Sequence, residues 1–166
     1  MRLLRSLGRS GHRDDGESVM TEQTCILLKP DAVCKGLVGE VLARFAQAGL
    51  QLRGMKMLKL SSQQAEGFYQ EHKGKPFYEP LVRFMTSAPI VATVWEGPGA
   101  VAKARSVMGA TNSPDAAPGT LRREFGTNNR YNVTHGSDSP ASAEREIQFF
   151  FKPDELFAFG KDDWEL

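Results

Sequence analysis

The chain is 166 residues long, 40% hydrophobic and 25% charged, with a formal net charge of +1. Such a length buries one good core, and the near-neutral balance gives no electrostatic case for nucleic acid or an anionic membrane as the main partner. No apolar run approaches a membrane span, and Cys25 and Cys34 form neither a zinc pattern nor a disulfide framework, so a reducing cytoplasm is the expected compartment.

The first twenty residues differ from the rest. Arg2, Arg5, Arg9 and Arg13 among leucines and serines fit an organelle-targeting segment over residues 1–13, but Asp14, Asp15 and Glu17 do not. Residues 1–20 are therefore read as a disordered basic tail or an extended gene start with Met20 as initiator, and residues 21–166 as the domain. Thr24–Leu28 predicts a buried strand that Lys29-Pro30-Asp31 breaks. After Gly36, the residues Leu37, Val38, Val41, Leu42 and Phe45 share one helical face, and Gly49 closes that helix. Leu50–Leu60 alternates imperfectly and reads as a second strand. Ser61-Ser62-Gln63-Gln64 predicts a capping box opening a helix to about Glu71; Gly74 and Pro76 break it before a shorter helix over Tyr78–Met85. Pro89–Trp95 is the clearest strand. Gly97-Pro98-Gly99 turns it into a helix over Ala100–Met108, stopped by Gly109.

Ala110–Asn132 dissolves into Pro, Gly, Asn and Thr, apart from an apolar patch at Leu121–Phe125. An irregular loop of that length inside a domain usually carries function. A short strand at Asn132–His135 and a helix over Pro140–Phe150 close the domain, with Ser139 as N-cap and Pro140 in first position. The tail Phe151–Leu166 carries Trp164 and little periodicity. This order predicts an α+β, ferredoxin-like βαββαβ sandwich: a four-stranded antiparallel sheet, helices packed on one face, and a long loop before the last strand.

The chemistry centres on Asn132-Val133-Thr134-His135-Gly136-Ser137-Asp138-Ser139. His135 falls at the lip between a strand and a helix start, where rigid elements hold an exposed imidazole; a surface-loop histidine beside a capping turn is the plainer alternative. No Walker-type phosphate loop and no G-x-G-x-x-G after a strand is present, so nucleotide phosphates would have to be held by side chains. Lys29 at a strand end, Arg105 on a helix, and Thr111, Arg122 and Asn132 around the long loop are the candidates. Each cation alone reads as a solvated surface charge; their concentration around one loop does not. Phe77 and Tyr78 either offer a stacking surface or pack the helix that follows. Strands reading Cys-Ile-Leu-Leu and Ile-Val-Ala-Thr-Val lack the aromatics of an RNA-binding sheet of this fold.

Asn-x-x-His-Gly-Ser-Asp-Ser, with Ser-Ala-Glu-x-Glu downstream, closely resembles the active-site signature of nucleoside diphosphate kinases. The likeness extends in order through Leu28-Lys29-Pro30-Asp31, Lys35–Glu40, Pro76-Phe77, Val94–Gly97, Gly109–Asn112 and Pro118–Arg122, covering roughly Thr21 to Phe159. The resemblance implies ping-pong transfer of the γ-phosphate from a nucleoside triphosphate, typically ATP, to a nucleoside diphosphate, maintaining ribo- and deoxyribonucleotide pools. His135 would be the nucleophile, forming a phosphohistidine; Glu146 would orient its ring and Ser137 would hydrogen-bond within the site, whereas Glu144 would point elsewhere on the helix. Lys29, Tyr69, Arg105, Thr111, Arg122 and Asn132 match the family's phosphate- and sugar-contacting positions, Lys29 and Tyr69 counting also with the catalytic set. Phe77 matches the aromatic on which the base stacks, with Leu81 near it, which implies broad nucleobase tolerance. Mg²⁺ would arrive bridging the nucleotide phosphates, with no protein ligand assigned.

Two stretches depart from the family pattern. The proline of Thr111-Asn112-Ser113-Pro114-Asp115 falls one residue later than is common, and Arg130-Tyr131 before Asn132 is less usual. Family members are hexamers or tetramers, and a Trp164-bearing tail long enough to reach a neighbour favours a homohexamer over a homotetramer. The rivals from other classes are a catalytically silent scaffold and a relay passing phosphate to a protein. The intact contact set counts against the first, and its nucleotide character against the second as the main role.

Overall fold

β1 (Thr21–Leu28) is buried along its last five residues without alternation, as befits a strand covered on both faces. The computed structural model describes residues 21–164; the readings of residues 1–20 as a tail, a targeting segment or an extended gene start lie outside them. With β2 (Gln51–Leu58), β3 (Ile90–Pro98) and β4 (Thr134–Gly136), β1 forms an antiparallel sheet in the order β2-β3-β1-β4. This is the ferredoxin-like arrangement expected, with β1 and β3 central.

β1 starts at Thr21, three residues early, because Thr21, Glu22 and Gln23 pair with Pro98, Gly97 and Glu96. The same pairing draws β3 through the predicted Gly97-Pro98 turn. Only Gly99, at φ 59, makes the turn into α5 (Ala100–Met108). Glu22 Oε1 then accepts the Val101 N–H at 2.8 Å, satisfying one free donor of the first helical turn.

Lys29-Pro30-Asp31 does end β1, but it also opens a helix the pattern does not announce, α1 (Pro30–Cys34), with Pro30 in first position. α2 (Val38–Gln47) follows as expected. The Ser61/Gln64 capping box is present and opens α3 (Ser62–Phe68). Past Phe68 the chain tightens into a 3₁₀ turn at Gln70–His72 instead of continuing as α-helix. α4 (Tyr78–Thr86) comes next, and the apolar patch of the long loop is a helix, α6 (Leu121–Phe125), capped by Thr120. α7 (Pro140–Phe150) has Ser139 as N-cap, its Oγ accepting the Ser142 N–H.

Helices cover both faces of the sheet, not one. Cys25, Leu27, Ile90, Ala92 and Val94 pack against Phe68 of α3, Met85 of α4 and Ile147 of α7. The alternate residues Ile26, Leu28, Val91 and Trp95 pack against Ala32 of α1, Phe45 of α2, Met108 of α5 and Leu121 of α6. The continuous apolar runs of β1 and β3 require this, since either face left in water would forfeit about 25 cal/mol per Å² of apolar surface. No helix among the described residues is long and apolar enough to cross a membrane. β4 pairs with β1 so that His135 stands opposite Leu27, on the face covered by α3, α4 and α7.

Candidate active site

The backbone just before His135 is bent by force. Val133 has φ 65, the one positive φ at a non-glycine among the described residues. Across it the Thr134 N–H donates to the Asn132 carbonyl at 2.8 Å. That bond, with a positive φ at the centre, defines a γ-turn of the rarer and strained hand, costly for a β-branched residue. Three contacts hold it: the Val133 N–H donates to Asp31 Oδ2 at 3.1 Å, its carbonyl accepts the Lys29 N–H at 2.9 Å, and its side chain is wholly buried. β4 therefore begins at Thr134, two residues later than the sequence pattern indicates.

His135 Nε2 is hydrogen-bonded to Glu146 Oε1 from α7. Among the described residues its other ring nitrogen, Nδ1, has no protein partner. The ring is walled edge-on by Phe68, at 5.2 Å between centroids, and Tyr69, at 6.2 Å. Glu146 is 3% exposed, and among the described residues its Oε2 meets no partner. This pairing selects Glu146 over Glu144.

His135 opens into a cleft of about 430 Å³ whose walls include Lys29, Tyr69, Phe77, Leu81, Arg105, Thr111, Arg122, Asn132 and Glu146. Every site residue read from the sequence is in that wall except Ser137. Its Oγ instead accepts the Cys25 N–H at 3.1 Å and donates to the Cys25 carbonyl at 3.3 Å, stapling the end of β4 to β1.

Cations outnumber carboxylates in the cleft wall, Lys29, Arg105, Arg122, Arg130 and Arg145 standing against Glu71, Asp138 and Glu146. Arg122 is 5% exposed and spends its guanidinium on the Gly109 and Thr134 carbonyls, at 3.0 and 2.9 Å. Arg105 donates to the Gly136 carbonyl at 3.3 Å. Lys29 Nζ donates to Asn132 Oδ1 at 2.7 Å and to the Arg130 carbonyl at 3.3 Å. Among the described residues none of the three forms an ion pair with a carboxylate. Burial, reinforced by Arg122, brings the Lys29 ammonium down from 10.5 to about 7 against an upward pull from Asp31. Burial, reinforced by Arg105, brings Arg122 from 12.5 to about 10. Uncompensated cations gathered in one recess make a site for a polyanion.

Asn132 is a strut: its Nδ2 donates to the Thr111 and Asn129 carbonyls at 2.9 and 3.2 Å, tying both ends of the long loop together. Among the described residues the Tyr69 hydroxyl is buried without a partner, and burial, with Glu146 and Cys25 nearby, pushes its ionisation well up. Phe77, at the N-cap of α4, leaves 43% of its surface open. The cleft also takes in Glu71, His72, Asn129, Arg130, Asp138, Ser142 and Arg145, which the sequence reading did not select. Of these, Arg130 falls in the dipeptide that departs from the family pattern, Ser142 and Arg145 fall within Ser-Ala-Glu-x-Glu, and the signature itself holds Asp138. Asp138 Oδ1 accepts the Ser142 hydroxyl at 2.6 Å, which holds the carboxyl below the usual range.

A family model for nucleoside diphosphate kinase matches residues 22–156. The nucleoside diphosphate kinase of Pelotomaculum thermopropionicum is 54% identical over 139 residues, covering 84% of this chain and 93% of that protein. That of Carboxydothermus hydrogenoformans is 52% identical over 145 residues, covering 86% and 97%. Among solved structures, a halophilic nucleoside diphosphate kinase from Halobacterium salinarum in complex with CDP superposes with TM-score 0.83 at 42% identity, covering 86% of this chain and 95% of that one. The Aquifex aeolicus enzyme gives 0.82 at 42%, covering 83% and 100%. With the family model spanning the sheet, the cleft and α7 alike, the chain belongs to the nucleoside diphosphate kinase family.

Proposed function

We propose that the protein is a phosphotransferase that moves the γ-phosphoryl group of a nucleoside triphosphate, typically ATP, onto a nucleoside diphosphate through His135. The observation that carries this reading is an imidazole with one nitrogen fixed by a buried carboxylate and the other free, in a cleft of uncompensated cations. With its proton on Nε2 and donated to Glu146, His135 keeps a lone pair on Nδ1. That pair attacks the γ-phosphorus; the bond to the β–γ bridging oxygen breaks, and its electrons leave with the nucleoside diphosphate. Glu146 balances the positive charge growing on the ring, while Lys29, Arg105 and Arg122 face the phosphate oxygens and Tyr69 offers its free hydroxyl. In the return half, a β-phosphate oxygen of the acceptor attacks phosphorus and the P–N pair returns to Nδ1. Phe77, with Leu81, is the platform for the base, and Thr111 and Asn132 line the path between base and phosphates.

Mg²⁺ is assigned to the nucleotide, where it would neutralise phosphate charge. Among the described residues no group of three or more His, Cys, Asp or Glu is placed to hold a metal, while Asp138 and Glu71 bring hard oxygen donors to the cleft wall and suit such an ion or its water shell. We assign a homo-oligomer, hexamer before tetramer. Its support is the apolar surface left open on the edge strand β2, where Met55 and Met57 are 53% and 62% exposed beyond the Arg53 carbonyl that accepts the Phe157 N–H at 2.9 Å, together with Trp164 at 79%. Cys25 and Cys34, both free thiols, suit a reducing cytoplasm.

The test is a phosphoenzyme trap with γ-labelled ATP and Mg²⁺, an unlabelled GDP chase, and His135→Ala alongside. Acid-labile, base-stable label on the wild type alone, chased into GTP, is the expected result. Nucleotide binding without label would favour a silent scaffold, and label that GDP cannot remove would favour a relay to protein.

A further inference from the structure

Arg130 belongs to the dipeptide that departs from the family pattern, and nothing in the phosphate chemistry above uses its side chain. Its backbone carbonyl accepts from Lys29. Its guanidinium lies 5.9 Å from the Tyr131 ring and, among the described residues, meets no carboxylate. Arg130 lines the nucleotide cleft and also an adjoining hollow of about 290 Å³ against Pro80 and Phe84. Those two residues belong to α4, and Phe77 and Leu81, the base platform, stand at the N-cap and first turn of the same helix. Arg130 thus borders the cleft that Phe77 and Leu81 line and also reaches the hollow beside Phe84, farther along α4. Tyr131 is itself braced edge-on against Phe84, 4.8 Å between centroids, so the guanidinium has a fixed neighbour.

We infer that Arg130 reads the edge of the purine base, selecting guanine over adenine. Resting on the kinase reading, the inference replaces indifference to the base with a preference. Stacking on Phe77 alone accepts any base, since every base has a π-face. A guanidinium fork differs. It donates twice to guanine O6 and N7, whereas adenine offers N7 beside an amino group that is itself a donor. Arg130 is only half-buried, so water competes and the discrimination falls at the low end for such a pair: about fivefold to tenfold in Kd.

The test is the ratio of dissociation constants for ADP and GDP on the intact unphosphorylated protein, with IDP as a third ligand that keeps O6 and N7 but lacks the 2-amino group. Expected are GDP and IDP binding alike and more tightly than ADP, a ratio near one in Arg130→Met, and an intermediate ratio in Arg130→Lys, which keeps the charge and loses the fork. A merely structural role would weaken all three ligands together, and that outcome overturns the inference. Equal affinities in the wild type overturn it too, as does an ADP:GDP ratio untouched by Arg130→Met. The phosphoenzyme trap on the same preparation separates the two readings. A protein that forms and discharges phosphohistidine without base preference defeats the role of Arg130 alone. One that forms none defeats the kinase reading, whatever the ratio.

Discussion

Replacing Lys29 by methionine should make the protein more stable and inactive, and the size of the gain should depend on pH. Lys29 is 6% exposed, stands beside Arg122, and has its ammonium lowered from 10.5 to about 7. At about 1.4 kcal/mol per pK unit, that shift disfavours the charged folded state by roughly 4–5 kcal/mol. The sign follows from proton counting. Below pH 7 both folded and unfolded chains carry the proton, and the whole penalty is present. Between 7 and 10.5 only the unfolded chain does, so wild-type stability rises by about 1.4 kcal/mol per pH unit. Methionine removes the penalty but leaves Asn132 Oδ1 and the Arg130 carbonyl without their donor, a loss of about 1–3 kcal/mol. The variant should therefore lead by roughly 2–3 kcal/mol at pH 6 and fall behind the wild type above about pH 9. Urea denaturation at fixed protein concentration, at pH 6, 7.5 and 9, measures this, with the phosphoenzyme trap as the activity check. A variant less stable than wild type at pH 6, or a difference that does not move with pH, refutes the reasoning.

The same group predicts proton uptake. A bound phosphate chain raises the Lys29 ammonium again, so at pH 8 nucleotide binding should take up close to one proton (about 0.9 for a group near 7) and weaken as pH rises; calorimetry in buffers of different ionisation enthalpy reads this directly, and no uptake would contradict the depressed value. Glu146→Gln keeps a hydrogen-bond acceptor for His135 Nε2 but removes the charge facing the ring, so phosphoenzyme formation should slow by about 10²-fold in rapid-quench experiments without loss of thermal stability. Val133→Gly relieves about 1–2 kcal/mol of strain but deletes a wholly buried side chain worth about 2–3 kcal/mol. Net destabilisation of about 1 kcal/mol should appear in denaturant titration, together with a slower phosphorylation step from a loosened His135.

Much of this site was legible because its residues act through local chemistry. The apolar runs of β1 and β3, the Ser61/Gln64 box and the Ser139-Pro140 helix start each specify an element with neighbours close in sequence. What escaped depends on partners far along the chain. β3 overruns Gly97-Pro98 only because residues 21–23 lie beside it. Pro30 breaks a strand and starts a helix with the same ring, and the pattern at that point shows only the break. Nothing in Asn-Val-Thr announces a positive φ at valine, because the turn is imposed by Asp31 and the Lys29 backbone from about a hundred residues away. Ser137 was expected to hydrogen-bond within the site, yet it faces the backbone of Cys25. Arg130 carried no chemical signal beyond being unusual; its place along α4 appears only once the loop is folded.

The features that resist folding are concentrated in one place. A lysine at the edge of losing its charge, an arginine with depressed basicity and a tyrosine hydroxyl without a partner among the described residues border the His135 cleft, and a strained valine stands two residues before the histidine. Elsewhere α3, α6 and α7 carry side-chain N-caps, and Glu22 meets the Val101 N–H at the start of α5. A polyphosphate reverses the sign of the two cationic terms together, because it supplies negative charge to both Lys29 and Arg122. Part of the free energy of nucleotide binding is therefore relief of a cost already present in the empty fold. On the proposed mechanism, in which Lys29 and Arg122 face the phosphate oxygens, the transferred group carries the most charge and should receive most of that relief. A cleft so arranged holds the phosphates more firmly than the sugar or the base, and that is what a phosphate shuttle serving many nucleotides needs.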